Sequence, residues 1–141
     1  MAYCIQDDIL DQVDEAVLIQ LTDDAGAGAV DADKVIKAIE DADGTIDAYC
    51  QDRYTIPLSP VPDKIRQVSV DIAIYNLFSR RGDAAPEVRK DRHKEAIRFL
   101  EAVRDGKIRL GAATPAPANT PNTVSISSNK RIFDRDKMSG F

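Results

Sequence analysis

At 141 residues and 15.5 kDa, with 43% hydrophobic content, the chain has enough apolar material for one compact domain of about 110 residues and no second core. No apolar run approaches the roughly 18 residues of a membrane helix, and the acidic start Met1 to Asp8 is unlike a secretory signal, so a soluble, cytoplasmically made protein is expected. The net charge of −5 hides an imbalance: residues 1–52 carry 14 acids and 2 bases, residues 53–141 carry 10 acids and 17 bases. Either two solvated surfaces or a head-to-tail meeting of acidic and basic ends of like subunits is consistent with that division.

A short helix is expected from Gln6 or Asp7, where Ile5, Ile9, Leu10 and Val13 recur at helical spacing, and a second short turn carries Val17, Leu18 and Leu21. Thr22 to Val30 reads as an acidic loop holding two glycines. Asp31 or Asp33 caps the next helix, whose stripe of Val35, Ile36, Ile39, Ala42, Ile46 and Tyr49 runs to about Asp52, weakened at Gly44 by up to about 1 kcal/mol. Pro57, Pro60 and Pro62 impose an extended connector.

A long helix starting at Pro62 or Asp63 is almost apolar all round between Val68 and Phe78, which marks it as central. Arg80-Arg81-Gly82-Asp83 ends it, and Pro86 opens a further helix with Val88, Ala96, Phe99, Leu100 and Val103 inward. Lys107 to Leu110 alternates as a short strand would, and Val124 to Ser128 is a second strand candidate. The expected fold is mainly α: a small bundle of about four helices with minor β pieces over residues 1–110, followed by an extended C-terminal arm at 111–141.

The arm has the composition of a tether ending in an address. Ala112 to Thr123 is uncharged and lacks large apolar residues, whereas the terminus holds Arg131, Ile132, Phe133, Arg135, Met138 and Phe141. Burying its four large apolar side chains offers about 6 to 12 kcal/mol, against roughly 1 to 2 kcal/mol for each of about ten residues ordered. The terminus therefore needs a partner to order it, and these six residues are the expected anchors.

Other chemistry is poorly supported. The loop from Asp23 matches a calcium loop in its sixth-place Gly28 but has Ala25, Ala27 and Lys34 where oxygen ligands are required. Cys4 and Cys50 are too few for a disulfide framework and read as packed thiols. His93, among Arg89, Lys90, Arg92 and Lys94, reads as part of a solvated face with no nucleophile at a recognisable spacing. No phosphate loop, cofactor site or metal ligand set is legible, so no enzyme is expected. A small DNA-binding regulator is the alternative, but the connection from Arg80 to Pro86 is long for a helix-turn-helix. The last helix also interleaves Glu87 with Lys90, Asp91 with Lys94, Glu95 with Arg98 and Glu101 with Arg104.

A set of segments resembles the Mu-like phage head-to-tail connector family of the gp36 type, over nearly the whole chain. They are Ala2-Tyr3-Cys4, Leu21 to Asp24 with its glycine loop, Ala42-Asp43, Ile46 to Tyr49, Arg53-Tyr54, Pro57 to Pro62, Asp71-Ile72-Ala73, Gly106-Lys107-Ile108 with Leu110-Gly111, and Arg131 to Phe141. The resemblance implies a helical structural protein of the virion neck that forms a ring, often twelvefold, beneath the portal protein. It implies contacts with portal, like subunits and tail or neck proteins, non-specific passage of DNA through a channel, and no enzymatic activity or cofactor. Alanines stand here where family members often carry acids between the loop glycines, which weakens any ion-binding role for that loop. On this reading the arm docks on the portal or on the next subunit, and the acidic first half faces the channel.

Overall fold

A computed structural model of the chain describes residues 2–82, 84–111 and 115–116. Among these are five helices: α1 Gln6–Leu10, α2 Glu15–Thr22, α3 Ala32–Cys50, α4 Asp63–Ser79 and α5 Glu87–Arg104. The mainly helical expectation holds, with α1 and α2 as short leading pieces and three long helices forming the body.

The spacing of apolar residues explains the arrangement. Along α3, Val35, Ala38, Ile39, Ala42, Ile46 and Cys50 are buried, a single stripe facing the core. α4 buries an unbroken run from Val68 to Ile74, plus Ile65 and Leu77, and packs against the other four helices. It is the central helix the composition foretold. α5 contributes only a narrow stripe, Ala96, Leu100 and Val103, with Ile97 and Phe99 partly buried beside it.

The ends of the elements follow from local chemistry. The Asp31 carboxylate accepts the Asp33 amide at 3.1 Å and so caps α3. Pro62 and Pro86 are the N-cap residues of α4 and α5, where the missing amide hydrogen costs nothing. The connector between α3 and α4 contains two cis peptide bonds, Ile56-Pro57 and Ser59-Pro60, with fully buried Leu58 between them.

The expected strand at Lys107 to Leu110 is not formed. Gly106 takes a left-handed φ of 79°, its amide bonds to the Val103 carbonyl at 3.1 Å, and the Lys107 amide bonds to Ala102 at 2.9 Å. That is a Schellman ending of α5, and it turns these amides back onto the helix instead of toward a neighbouring strand. The β structure among the described residues is one antiparallel bridge between Tyr54 and Pro115. The second strand candidate, Val124 to Ser128, lies outside the described residues.

Three side chains depart from the expected apolar stripes, the first being Ile5, the N-cap residue of α1, which is exposed. Val88 is 63% exposed, because α5 docks on α4 through its later turns and leaves its first turn outside the contact. Ile36 is 51% exposed, since it sits one residue off the buried row of α3.

Candidate functional site

The N-terminal segment is fastened to the body by a buried polar cluster. Tyr3, 2% exposed, donates its backbone amide to Asp43 Oδ2 at 3.0 Å and its hydroxyl to Asp47 Oδ1, while the Leu58 amide donates to the same hydroxyl at 3.0 Å. Ser69 on α4 donates its hydroxyl to Asp43 Oδ1 at 2.8 Å and lies 3.2 Å from Cys4 Sγ. One tyrosine thus ties the chain start, α3 and the proline-rich connector together, and Ser69 adds α4. Burial raises the Asp43 carboxyl above its ordinary value, and the hydrogen bonds from Ser69 and Tyr3 partly oppose that rise. The thiols of Cys4 and Cys50 are both buried and free, each pushed up to about 11 by burial.

A second cluster holds the root of the C-terminal segment. Buried Tyr54 accepts the Leu110 amide on its hydroxyl at 2.8 Å, and the Arg53 carbonyl accepts the Ala116 amide at 2.9 Å. The Arg53 guanidinium lies directly over Gly106, where a Cβ would come within 2.6 Å of Nη1. Glycine there meets two demands, the left-handed turn and the close approach of Arg53. Leu110, Pro115 and Ala116 are therefore held beside Arg53 and Tyr54.

The acidic loop after α2 is closed by its own residues. Asp23 accepts the amides of Ala27 at 2.9 Å and Gly28 at 2.7 Å, and these bonds hold its carboxyl below the usual range. Asp24 takes Arg80 at 2.7 and 2.8 Å and Arg81 at 3.2 Å, while Arg80 also donates to the Leu21 carbonyl. Both oxygens of Asp23 are thus engaged by backbone, and Asp24 clasps the end of α4. Thr22 adds a clip, donating to Leu18 and accepting from Asp31.

His93 departs from the expected solvated face. Its ring stacks on Tyr75 with centroids 4.0 Å apart and 17° between planes, and burial lowers its pKa below the ordinary histidine value. Beside it, Arg92 stands 3.7 Å from Asp71 Oδ1, a buried oxygen with no hydrogen bond among the described residues, and Arg89 donates to the Gln12 carbonyl at 2.7 Å. Burial raises the Asp71 carboxyl, opposed chiefly by Arg92 and Arg89. Of the interleaved pairs expected on α5, Lys90 with Glu87 and Lys94 with Asp91 form at 3.6 and 3.9 Å.

Between the N-terminal segment and α3 runs an open groove of about 640 Å³. Val35, Ile36 and Ile39 line it from α3, and Ile5, itself 57% exposed, lines it from the opposite wall. Its charged lining is Glu40, Asp43 and Asp47, all acidic. The expected anchors Arg131, Ile132, Phe133, Arg135, Met138 and Phe141 lie outside the described residues. Sequence reasoning did not find this groove, although a cue was present: Ile5 precedes the first helix, and Ile36 stands beside the main apolar row rather than in it.

The two clusters carry a further meaning when this chain is compared with known proteins. Residues 3–128 match the family described as Bacteriophage Mu, Gp36. The chain belongs to that family. It is 34% identical over 116 residues to the Mu-like prophage FluMu protein gp36 of Haemophilus influenzae (strain ATCC 51907 / DSM 11121 / KW20 / Rd), covering 82% of this chain and 80% of the relative. It is 31% identical over 108 residues to Gene product J of Escherichia phage Mu, covering 74% and 73% respectively. Several of the segments that carried the resemblance in sequence are brought together by the fold: Tyr3 with Asp43, Asp47 and Leu58, and Arg53-Tyr54 with Gly106 and Leu110. Among the described residues, no helix is long and apolar enough to cross a membrane.

Proposed function

We propose that this protein is a head-to-tail connector of a tailed phage, a structural component that forms a ring under the portal, continues the DNA channel and helps join tail to head. The single observation that carries the reading is the match to the Mu Gp36 family, which begins at residue 3 and runs past the helical body to residue 128. What is shared with the family thus includes both the body and the first part of the C-terminal segment. The fold supports a building-block role, since its most elaborate polar chemistry fixes chain segments to one another.

In this reading the acidic first half faces the channel, where repulsion of phosphate lets DNA slide. The C-terminal anchors dock on portal or a neighbouring subunit, each weakly, and gain strength from the many arms of one ring. The protein acts without a catalytic step and resides in the virion neck. The DNA-regulator alternative gains little from α5, where Lys90, Lys94 and Arg92 stand beside acids rather than forming a free basic stripe.

The test is a portal pull-down comparing the intact chain with one ending at Ala116, a boundary that keeps the bond to Arg53 and the bridge to Tyr54. Capture by the intact chain and its loss on truncation are expected. Equal capture would remove docking of the arm on the portal, and absence of capture by the intact chain would remove the connector assignment. A ring structure with residues 1–52 pointing outward would end the channel-facing assignment.

A further inference from the structure

The groove between Ile5 and α3 is an apolar surface with no use inside the body. Its floor continues the core outward: Val35 and Ile39 are buried at its base, while Ile36 and Ile5 stand half open above them. Gly44, two turns beyond Ile36, widens it, since a Cβ placed there would meet nothing within 4 Å. The edge along α3 carries exposed Glu40 and half-buried Asp47, with Asp43 buried in the polar cluster beneath them, and no base among the lining residues. An occupant matched to it is an extended or helical segment with several large apolar side chains and a net positive charge.

We infer that this groove receives residues 130–141 of a second copy of the chain. The occupant is identified by three facts. Residues 117–141 carry four bases and two acids, opposite in sign to the groove edge. Their large apolar residues Ile132, Phe133, Met138 and Phe141 are the types that fill a pocket bounded by Ile5, Val35, Ile36 and Ile39. The reach is sufficient: from Ala116, held at Arg53, residues 117–129 span up to about 43 Å. A body of about 110 residues has a radius of gyration of only about 13 Å. The choice of a second copy over the same chain rests on the ring reading above, in which each subunit must hand part of itself to the next. It turns the charge division of the chain into a head-to-tail contact, basic end onto acidic half.

The test uses the intact chain with Phe133 replaced by the photo-reactive analogue p-benzoylphenylalanine. Normal and heavy-isotope copies are mixed at about 1 mM, near the effective concentration within a ring, and irradiated. The expected result is mixed-isotope cross-links from position 133 to peptides covering residues 2–6 or 32–47. Their yield falls at least about tenfold when the acceptor carries Ile36→Asp or, independently, Ile5→Asp. Both positions are more than half exposed, so each variant keeps the native helical signal. Cross-links confined to single chains, cross-links to other surfaces, or no cross-links would each overturn the inference. The portal pull-down reads the connector assignment separately: intact capture together with failed cross-linking rejects the groove and leaves the connector reading in place.

Discussion

Replacing Tyr3 by Phe removes one oxygen atom from the junction of three segments and leaves the ring packing in place. The hydroxyl donates to the Asp47 carboxylate and accepts the amide of Leu58, a residue with no exposed surface. A hydrogen bond to a charged group contributes about 1.5 to 3 kcal/mol, and an orphaned buried amide costs about 1 to 3 kcal/mol. Because the two share one oxygen and Asp47 is only half buried, the expected loss is about 2 to 4 kcal/mol rather than the full sum. For a body of this size that is a fall in Tm of about 8 to 16 °C. Urea unfolding followed by far-UV circular dichroism measures it, with an unchanged m-value showing that the native state stays compact. A double-mutant cycle with Asp47→Ala then isolates the pair, for which a coupling of at least about 1 kcal/mol is expected. A loss below about 0.5 kcal/mol for Tyr3→Phe would refute the claim that this hydroxyl joins the chain start to α3 and the connector.

Gly106→Ala places a Cβ against the Arg53 guanidinium in a left-handed turn, and a loss of about 1 to 3 kcal/mol is expected in the same urea assay; an unchanged midpoint would show that Arg53 simply swings away and that the turn is unstrained. Asp71 has a folded-state pKa above its ordinary value of 3.8, so the native state binds its proton more readily. Its contribution to stability therefore falls as pH rises from 3.8 through the raised value. Asp71→Asn should flatten that part of the pH–stability profile, and an identical profile in the variant would refute the assignment. Cys4 and Cys50, buried and raised to about 11, should both resist a thiol reagent at pH 8 in the native protein and react fully in denaturant; rapid native labelling of either would show an open path to that sulfur.

The long helices were legible because a 3.6-residue apolar period is a local signal. The stripe of α3, the all-round burial of α4 and the proline-marked starts of α4 and α5 each need only their own segment to be read. The alternation at Lys107 to Leu110 misled for the same reason: four residues cannot distinguish a strand from a helix ending, and the decisive facts are the φ of Gly106 and the two bonds back to Val103 and Ala102. Val88 and Ile36 have the chemistry of core residues, but docking geometry leaves them outside. His93 sits among bases in sequence, whereas only the packing of α5 on α4 brings Tyr75 against its ring.

By itself, then, the sequence determined the helical class, the starts of the three long helices to within about two residues, the central place of α4 and the family. Those properties rest on periodicity, capping and motif order, all carried along the chain. The tertiary structure alone decided what Asp43 and Ser69 do, since both look like surface residues until Tyr3 and Cys4 arrive from 40 and 65 positions away. It also decided that Ala116 is held at Arg53 and that Ile5 and Ile36 line one groove. Such features arise where distant segments converge, and no local pattern encodes which polar or apolar face will find a partner there.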